Sequence, residues 1–242
     1  MKTNVPLVLV SLILSSNAIA QKNSIKTSLT NLALNTYTLT YERAISSRLA
    51  LQASLDYMPD WSPWFSQSLP DLDNMPHYQN NFSMGARTAT LDFKIYMQEA
   101  MSGGYIAPYF RYSQHSMATQ SVPFTYKDSL GTARQAPVDY HVDINRFSLG
   151  VYWGYQWIIK ERLAIDLWIV GVSFTSDQMH MQVSSEHLPK DQFQAGSSLD
   201  DHVNNLISGW DITSKGNNEM SYAKSQNFIG GRGLGLNIGW AF

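Results

Sequence analysis

Ser113 and His115 lie two residues apart in "YFRYSQHS", and Asp56 falls near the end of "LALQASLDY". A hydroxyl, an imidazole and a carboxylate are the parts of a hydrolytic triad. Residues two apart on a strand share a face, so Ser113 and His115 can meet one substrate. The same spacing is also ordinary on any polar strand face, and no nucleophile motif surrounds it. His180, Glu186 and His187 in "HMQVSSEH" are residue types that bind transition metals. Their spacing matches no established metal motif, and loop histidines are ordinarily solvated. Neither set is enough to predict an enzyme, and no cofactor motif is present, so neither catalysis nor a cofactor is expected.

A third set is charged. Glu42, Asp92, Lys94, Arg111 and Asp166 each interrupt a stretch in which bulky apolar residues alternate with small or polar ones. Buried charge is tolerated only when paired. These five are therefore expected to project into a narrow lumen as a structural network, with Asp92 facing Arg111 across adjacent strands and Glu42 nearer the turn end. The functional alternative is a constricted polar path for a small solute or ion.

The elements that must position these residues read as strands. "RLALQASLDY" sets Leu49, Leu51, Ala53, Leu55 and Tyr57 against Arg48, Gln52, Ser54 and Asp56. "TATLDFKIYM", "YIAPYFRYSQ", "RFSLGVYWGYQW", "LAIDLWIVG" and the closing "GLGLNIGWAF" follow the same period-two rule. Each is about the ten residues that a tilted membrane strand requires. The charges keep to one face. A lysine or arginine pointed into lipid costs about 2–4 kcal/mol at mid-depth, which explains the segregation. In the last stretch the second face is mostly glycine, a residue that weakens a strand unless something approaches closely; a crowded barrel interior is such a place.

The predicted fold is therefore all-β: an antiparallel transmembrane β-barrel of about eight strands. Short connections at "SS", "EAMSG" and "IKER" alternate with long ones at "PDWSPWFSQSLPDLDNMPHYQNN", "ATQSVPFTYKDSLGTARQAPVDYH" and residues 176–226. Short periplasmic turns and long extracellular loops are the barrel pattern. An even strand count requires a hairpin in "IKTSLTNLALNTYTLTYER", turning near Asn35. Pro108 should cause a bulge or local break. One short helix is expected in "SSLDDHVNNLISGW", capped by Ser198 with Asp201 three residues on and stopped by Gly209. Its stripe of Leu199, Val203, Leu206 and Ile207 either packs over the barrel or docks a partner.

Residues 1–20 have the layout of a signal peptide: Lys2, the apolar "VPLVLVSLIL", and small Ala18 and Ala20, with cleavage before Gln21. Residues 21–242 are expected to form one barrel domain in a bacterial outer membrane. The absence of cysteine excludes a lipoprotein anchor and disulfides, and a net charge of −2 suggests no nucleic-acid partner.

With the strands placed, "IKTSLTNLALNTYTLTYERAISSRLALQASLDYMPDW", "GGYIAPYFRYS", "LGVYWGYQW" and "GLGLNIGWAF" resemble a family of small, functionally uncharacterised outer-membrane barrels. That family sits in the wider group of OmpA-like and OmpW-like barrels. The resemblance covers the strands, about half of the mature chain, and carries no active-site residue. It implies that Gly235, Ile238, Trp240 and Phe242 form an insertion signal read by the barrel-assembly machinery. Loop aromatics Trp61, Trp64, Phe65 and Trp210 are the candidates for external contacts. The expected function is a non-enzymatic, surface-exposed structural or interaction protein, with membrane lipid, lipopolysaccharide and an extracellular protein as partners. A narrow channel and a lipid-modifying enzyme follow as alternatives.

Overall fold

The computed structural model describes residues 22–62, 82–128, 130–194, 196–206, 211–215 and 218–242. The leader lies outside the described residues, as do Trp64, Phe65, Ile207, Gly209 and Trp210.

Alternation becomes strand, as the sequence requires. The strands are β1 (Asn23–Ser28), β2 (Tyr37–Ala44), β3 (Leu49–Trp61), β4 (Phe82–Tyr96), β5 (Gly103–Lys127), β6 (Ala133–Ile159), β7 (Leu163–Ser184), β8 (Asp211–Lys215), β9 (Glu219–Arg232) and β10 (Gly235–Ala241). All pair antiparallel in one 10-stranded sheet, and β10 bonds both β1 and β7, closing a ring of β1 to β7 and β10. β9 continues the register of β10 on β7, since Gly171 pairs with Arg232 and Trp168 with Gly235. β9 and β10 are thus one line of pairing, interrupted at Gly233 and Leu234.

The predicted first hairpin is present, turning through Asn35 at a φ of 55°. Its up-strand is short because a helical turn, α1 (Leu29–Ala33), follows at once, capped by the Ser28 side chain. At the opposite end, Lys160 and Glu161 both take positive φ in the tight turn between β6 and β7, the conformation that matches hairpin twist.

Pro108 causes the expected irregularity as a local break in one ladder, not as a bulge. It stays in register with Val151 on β6, while the β4 ladder passes from Asp92–Tyr109 to Ile95–Ile106 around it. A proline lacks only its own N–H, so one side of the strand loses a bond and the other keeps its partner. The register shifts lie elsewhere: between Met58 and Trp61 on β3, between Thr119 and Val122 on β5, at Ile169 on β7 and between Ile212 and Ser214 on β8.

The expected long loop at 118–141 is mostly strand, and the one at 176–226 is strand at both ends. β5 has 25 residues and β6 has 27; at about 3.4 Å per residue, each runs far past a hydrocarbon core of about 30 Å. The overhanging parts of β5, β6 and β7, with β8 and β9, form a lobe around their own apolar core. Phe124, Val138, Val183, Phe193, Met220 and Tyr222 build it. Alternation persists beyond the barrel because one face of the overhang is buried in this core rather than in the lumen. At the β5–β6 tip, Asp128 accepts bonds from Leu130 N, Thr132 N and Arg134 Nε, and these hold its carboxyl below the usual range.

Within the lobe lies α2 (Ser198–Leu206). Its cap is Ser197, not Ser198: Ser197 Oγ accepts from Asp200 N, and Asp200 reaches back to Gly196 N. The doubled "SSLDD" permits either frame, and burial of Leu199 and Val203, both 0% exposed, selects the earlier one. The helix faces its own lobe. Leu199→Ala should cost about 2–5 kcal/mol of lobe stability, seen as faster amide exchange in the overhang while protection of the ring strands is unchanged.

The ring is inside-out relative to a soluble protein. Trp153 is 44% exposed on its outer wall, whereas Asp92 is 0% exposed within. Leu55, Leu91, Phe110, Leu149 and Phe174 continue the outer band, a surface suited to hydrocarbon rather than water.

Candidate functional site

The lumen is layered because paired strands deliver rows of inward side chains at successive heights. Near the turn end, Lys26 Nζ donates to Glu42 Oε2 at 2.6 Å, Gln52 Oε1 at 2.8 Å, Gln156 Oε1 at 3.2 Å and Asp166 Oδ2 at 2.6 Å. Those partners stand on β2, β3, β6 and β7, so one ammonium ties the ring across its bore. Lys94 Nζ reaches the same Asp166 oxygen at 2.7 Å and Gln156 at 3.0 Å. Tyr96 donates to Glu42 Oε1 at 2.6 Å, and Tyr105 to Asp166 Oδ1 at 2.5 Å. All six ionisable side chains of this plug are buried. Two lysines balance two carboxylates, and phenols and amides add further hydrogen bonds, with Gln156 Nε2 left without a partner among the described residues.

The glycines make room for these rings. A Cβ on Gly235 would overlap the Trp168 indole, and one on Gly154 would overlap the Tyr105 phenol. On the closing strand, Gly235 is bare because the β7 indole occupies that space, and Gly239 because the β1 backbone at Ile25 and Lys26 does.

Above the plug, Arg232 lies over the rings of Tyr152 at 4.4 Å, Trp168 at 4.8 Å and Tyr109 at 5.2 Å, with Asp92 Oδ1 at 3.4 Å. Asp92 also accepts from Gln52 Nε2 at 2.8 Å. The expected Asp92–Arg111 pair is absent: Asp92 sits opposite Tyr109, and Arg111 opposite Thr90. Arg111 Nε instead donates to Thr90 Oγ1 at 3.1 Å. Glu42 lies in the plug near the turn end, bonded to Lys26. Lys26, Gln52, Gln156, Tyr96, Tyr105 and Arg232 were not among the predicted network residues. Lys26 and Arg232 fall in poorly alternating or glycine-rich stretches, and the others are neutral. Their strand parity was the available signal.

Over the Arg232 layer opens a cavity of about 510 Å³, lined by hydroxyls with Arg111, Arg146, His115 and Asp56. Arg146 is fixed by both Asp177 oxygens at 2.8 Å. Ser113, His115 and Asp56 all face this space, but no hydrogen bond joins them among the described residues. Ser113 accepts from Thr88 at 3.0 Å, and Asp56 from Thr38 at 2.7 Å. His180 pairs across strands with Asp143, and Glu186 and His187 are exposed in the lobe. Among the described residues no group of three or more imidazole and carboxylate side chains is placed to hold a metal. Trp61 ends β3, half-buried. On β10, Ile238 is half-buried on the outer side, Gly235 is inward, and Trp240 and Phe242 are exposed at the turn end, with Arg162 over the Trp240 ring at 5.6 Å.

These features define a closed, antiparallel eight-stranded barrel with a charged internal plug, a polar cavity above it and a β-lobe on one rim. The chain belongs to the family described as Protein of unknown function (DUF3575), whose model matches residues 5–192. It is also similar to Acinetobacter baumannii CarO2 in the crystal, with a TM-score of 0.43 and 10% identity over 94% of this chain and 100% of that one. No curated protein matches it.

Proposed function

We propose that the protein is a non-enzymatic barrel of a bacterial outer membrane that presents its lobe as an interaction surface and does not conduct solutes. Residues 1–20 would direct export, and the three tight turns would face the periplasm. This reading keeps the chain in the wider OmpA-like and OmpW-like group. The observation that carries it is Lys26, whose ammonium bonds side chains on four strands around the bore. A path through that level would require breaking several charge-assisted bonds in a desolvated site, each worth more than a neutral bond.

Purified protein in planar bilayers is expected to give no steady conductance. Stepwise openings under modest voltage would instead assign it a channel role. Crosslinking in intact cells should capture a partner through lobe residues such as Leu130, which is 85% exposed at the β5–β6 tip. A lipid A mass shift lost on deletion would overturn the non-enzymatic reading, and Ser113 and His115 would then be the residues to replace.

A further inference from the structure

Among the described residues, the ring that β10 closes is not paired along the whole height of the wall. β1 ends at Ser28 opposite Asn237, and β10 begins at Gly235. Beyond them β9 rises on β7, and β8 joins its other edge only between Met220 and Ala223. Across the opening stand α1 and the start of β2. Among the described residues, no backbone hydrogen bond links residues 225–233 to α1 or β2. One side-chain bond marks the lower lip, from Leu236 N to Thr30 Oγ1 at 3.3 Å.

This gap lies within the apolar band. Ile229 faces outward beside Phe174, and Gly231 beside Val172. An unpaired strand edge in hydrocarbon costs several kcal/mol per polar group, so the edge needs polar company. Its lips are apolar: Leu32, Leu34, Ile229 and Leu234 are all exposed there. Behind them the wall thins to Gly230, Gly231 and Gly233, which line the polar cavity directly.

Inside, the charges are unevenly satisfied. Arg146 and Arg232 have carboxylate partners, while Arg111 has none within ion-pairing distance among the described residues. Its guanidinium donates through Nε to Thr90 and lies over the Tyr109 ring at 5.7 Å, and neither contact uses its terminal N–H groups. The carboxylate in the lining, Asp56, already accepts from Thr38 and Asn31.

We propose that this cavity binds the anionic head of an amphiphile that enters sideways from the membrane between β9 and α1. The phosphate or carboxylate would sit at Arg111, with the lining hydroxyls completing its shell, and the aliphatic tail would cross the leucine and isoleucine lips into lipid. The volume lies within the range of small-molecule sites, and an arginine fork suits a planar or tetrahedral oxyanion. The proposal rests on the barrel lying in a membrane. Reconstitution into nanodiscs of neutral lipid reports on that reading separately: protein that fails to insert sinks the membrane placement, whereas inserted protein tests the site.

Inserted protein should bind dodecyl phosphate and dodecanoate saturably, one per chain, as read by native mass spectrometry and titration calorimetry. Dodecyltrimethylammonium should not bind. Arg111→Gln should weaken both anions by about tenfold or more, the loss of a charge-assisted bond, while Arg111→Lys recovers part of it. Gly233→Leu, at a position where an added Cβ meets nothing within 4 Å, should slow binding of the tailed anions and leave inorganic phosphate unaffected. Inorganic phosphate binding as tightly as dodecyl phosphate would make this a site for free anions and overturn lateral entry. Binding unchanged by Arg111→Gln in a variant with native circular dichroism, or no saturable binding at all, would overturn the site.

Discussion

Asp166→Ala is expected to destabilise the barrel by about 3–5 kcal/mol, the range for leaving a buried charge without its partner. Asp166 Oδ2 accepts from both Lys26 and Lys94, and its other oxygen from Tyr105. Removing it leaves two buried ammonium groups facing Glu42 alone. The loss should appear in urea unfolding from lipid vesicles, followed by tryptophan fluorescence. The double change Asp166→Asn with Lys94→Met restores charge balance around Lys26 and Glu42. It should therefore cost less than Asp166→Asn by itself, a coupling that a double-mutant cycle isolates. If the single and double changes were equally damaging, the plug would be held by packing rather than charge.

The second large effect concerns the outer wall. Leu149→Arg should cost about 2–4 kcal/mol, because a guanidinium near mid-depth must be dragged out of hydrocarbon. Leu130→Arg should cost nothing measurable. Leu130 is 85% exposed and Leu149 is 58% exposed, so exposure ranks them in the wrong order; the solvent outside each decides. The same unfolding assay compares the two. Equal tolerance of arginine at both positions would mean that water, not lipid, surrounds the ring.

The strand grammar was legible because each ring strand has two different surroundings, which write themselves into alternate residues. Leu91 and Phe93 against Asp92 and Lys94 already place two charges inside. Pairing was less legible. Asp92 was expected opposite Arg111, but the hairpin register sets it opposite Tyr109, and its ion-pair partner Arg232 comes from a strand about 140 residues away. Local spacing carries no signal for such a contact. Lys26 was missed for a related reason: only six residues of its strand alternate before α1 begins. The overhang was read as loop because its prolines and glycine suggest turns, as in "SVPFTYKDSLGTARQAPVDY". Pro123 and Pro137 in fact pair with each other across β5 and β6.

What the sequence determined by itself was the two-sided wall: period-two alternation, with bulky apolar residues on one face and charge on the other, specifies strands whose faces meet different surroundings. What only the tertiary structure decided was which inward residues meet. Ring closure brings β1, β4 and β7 around one axis, and only there do Lys26, Lys94 and Asp166 share a single oxygen. The gap beside β9 is decided at the same level, because it depends on β1 stopping one helical turn too soon to cover its neighbour's edge.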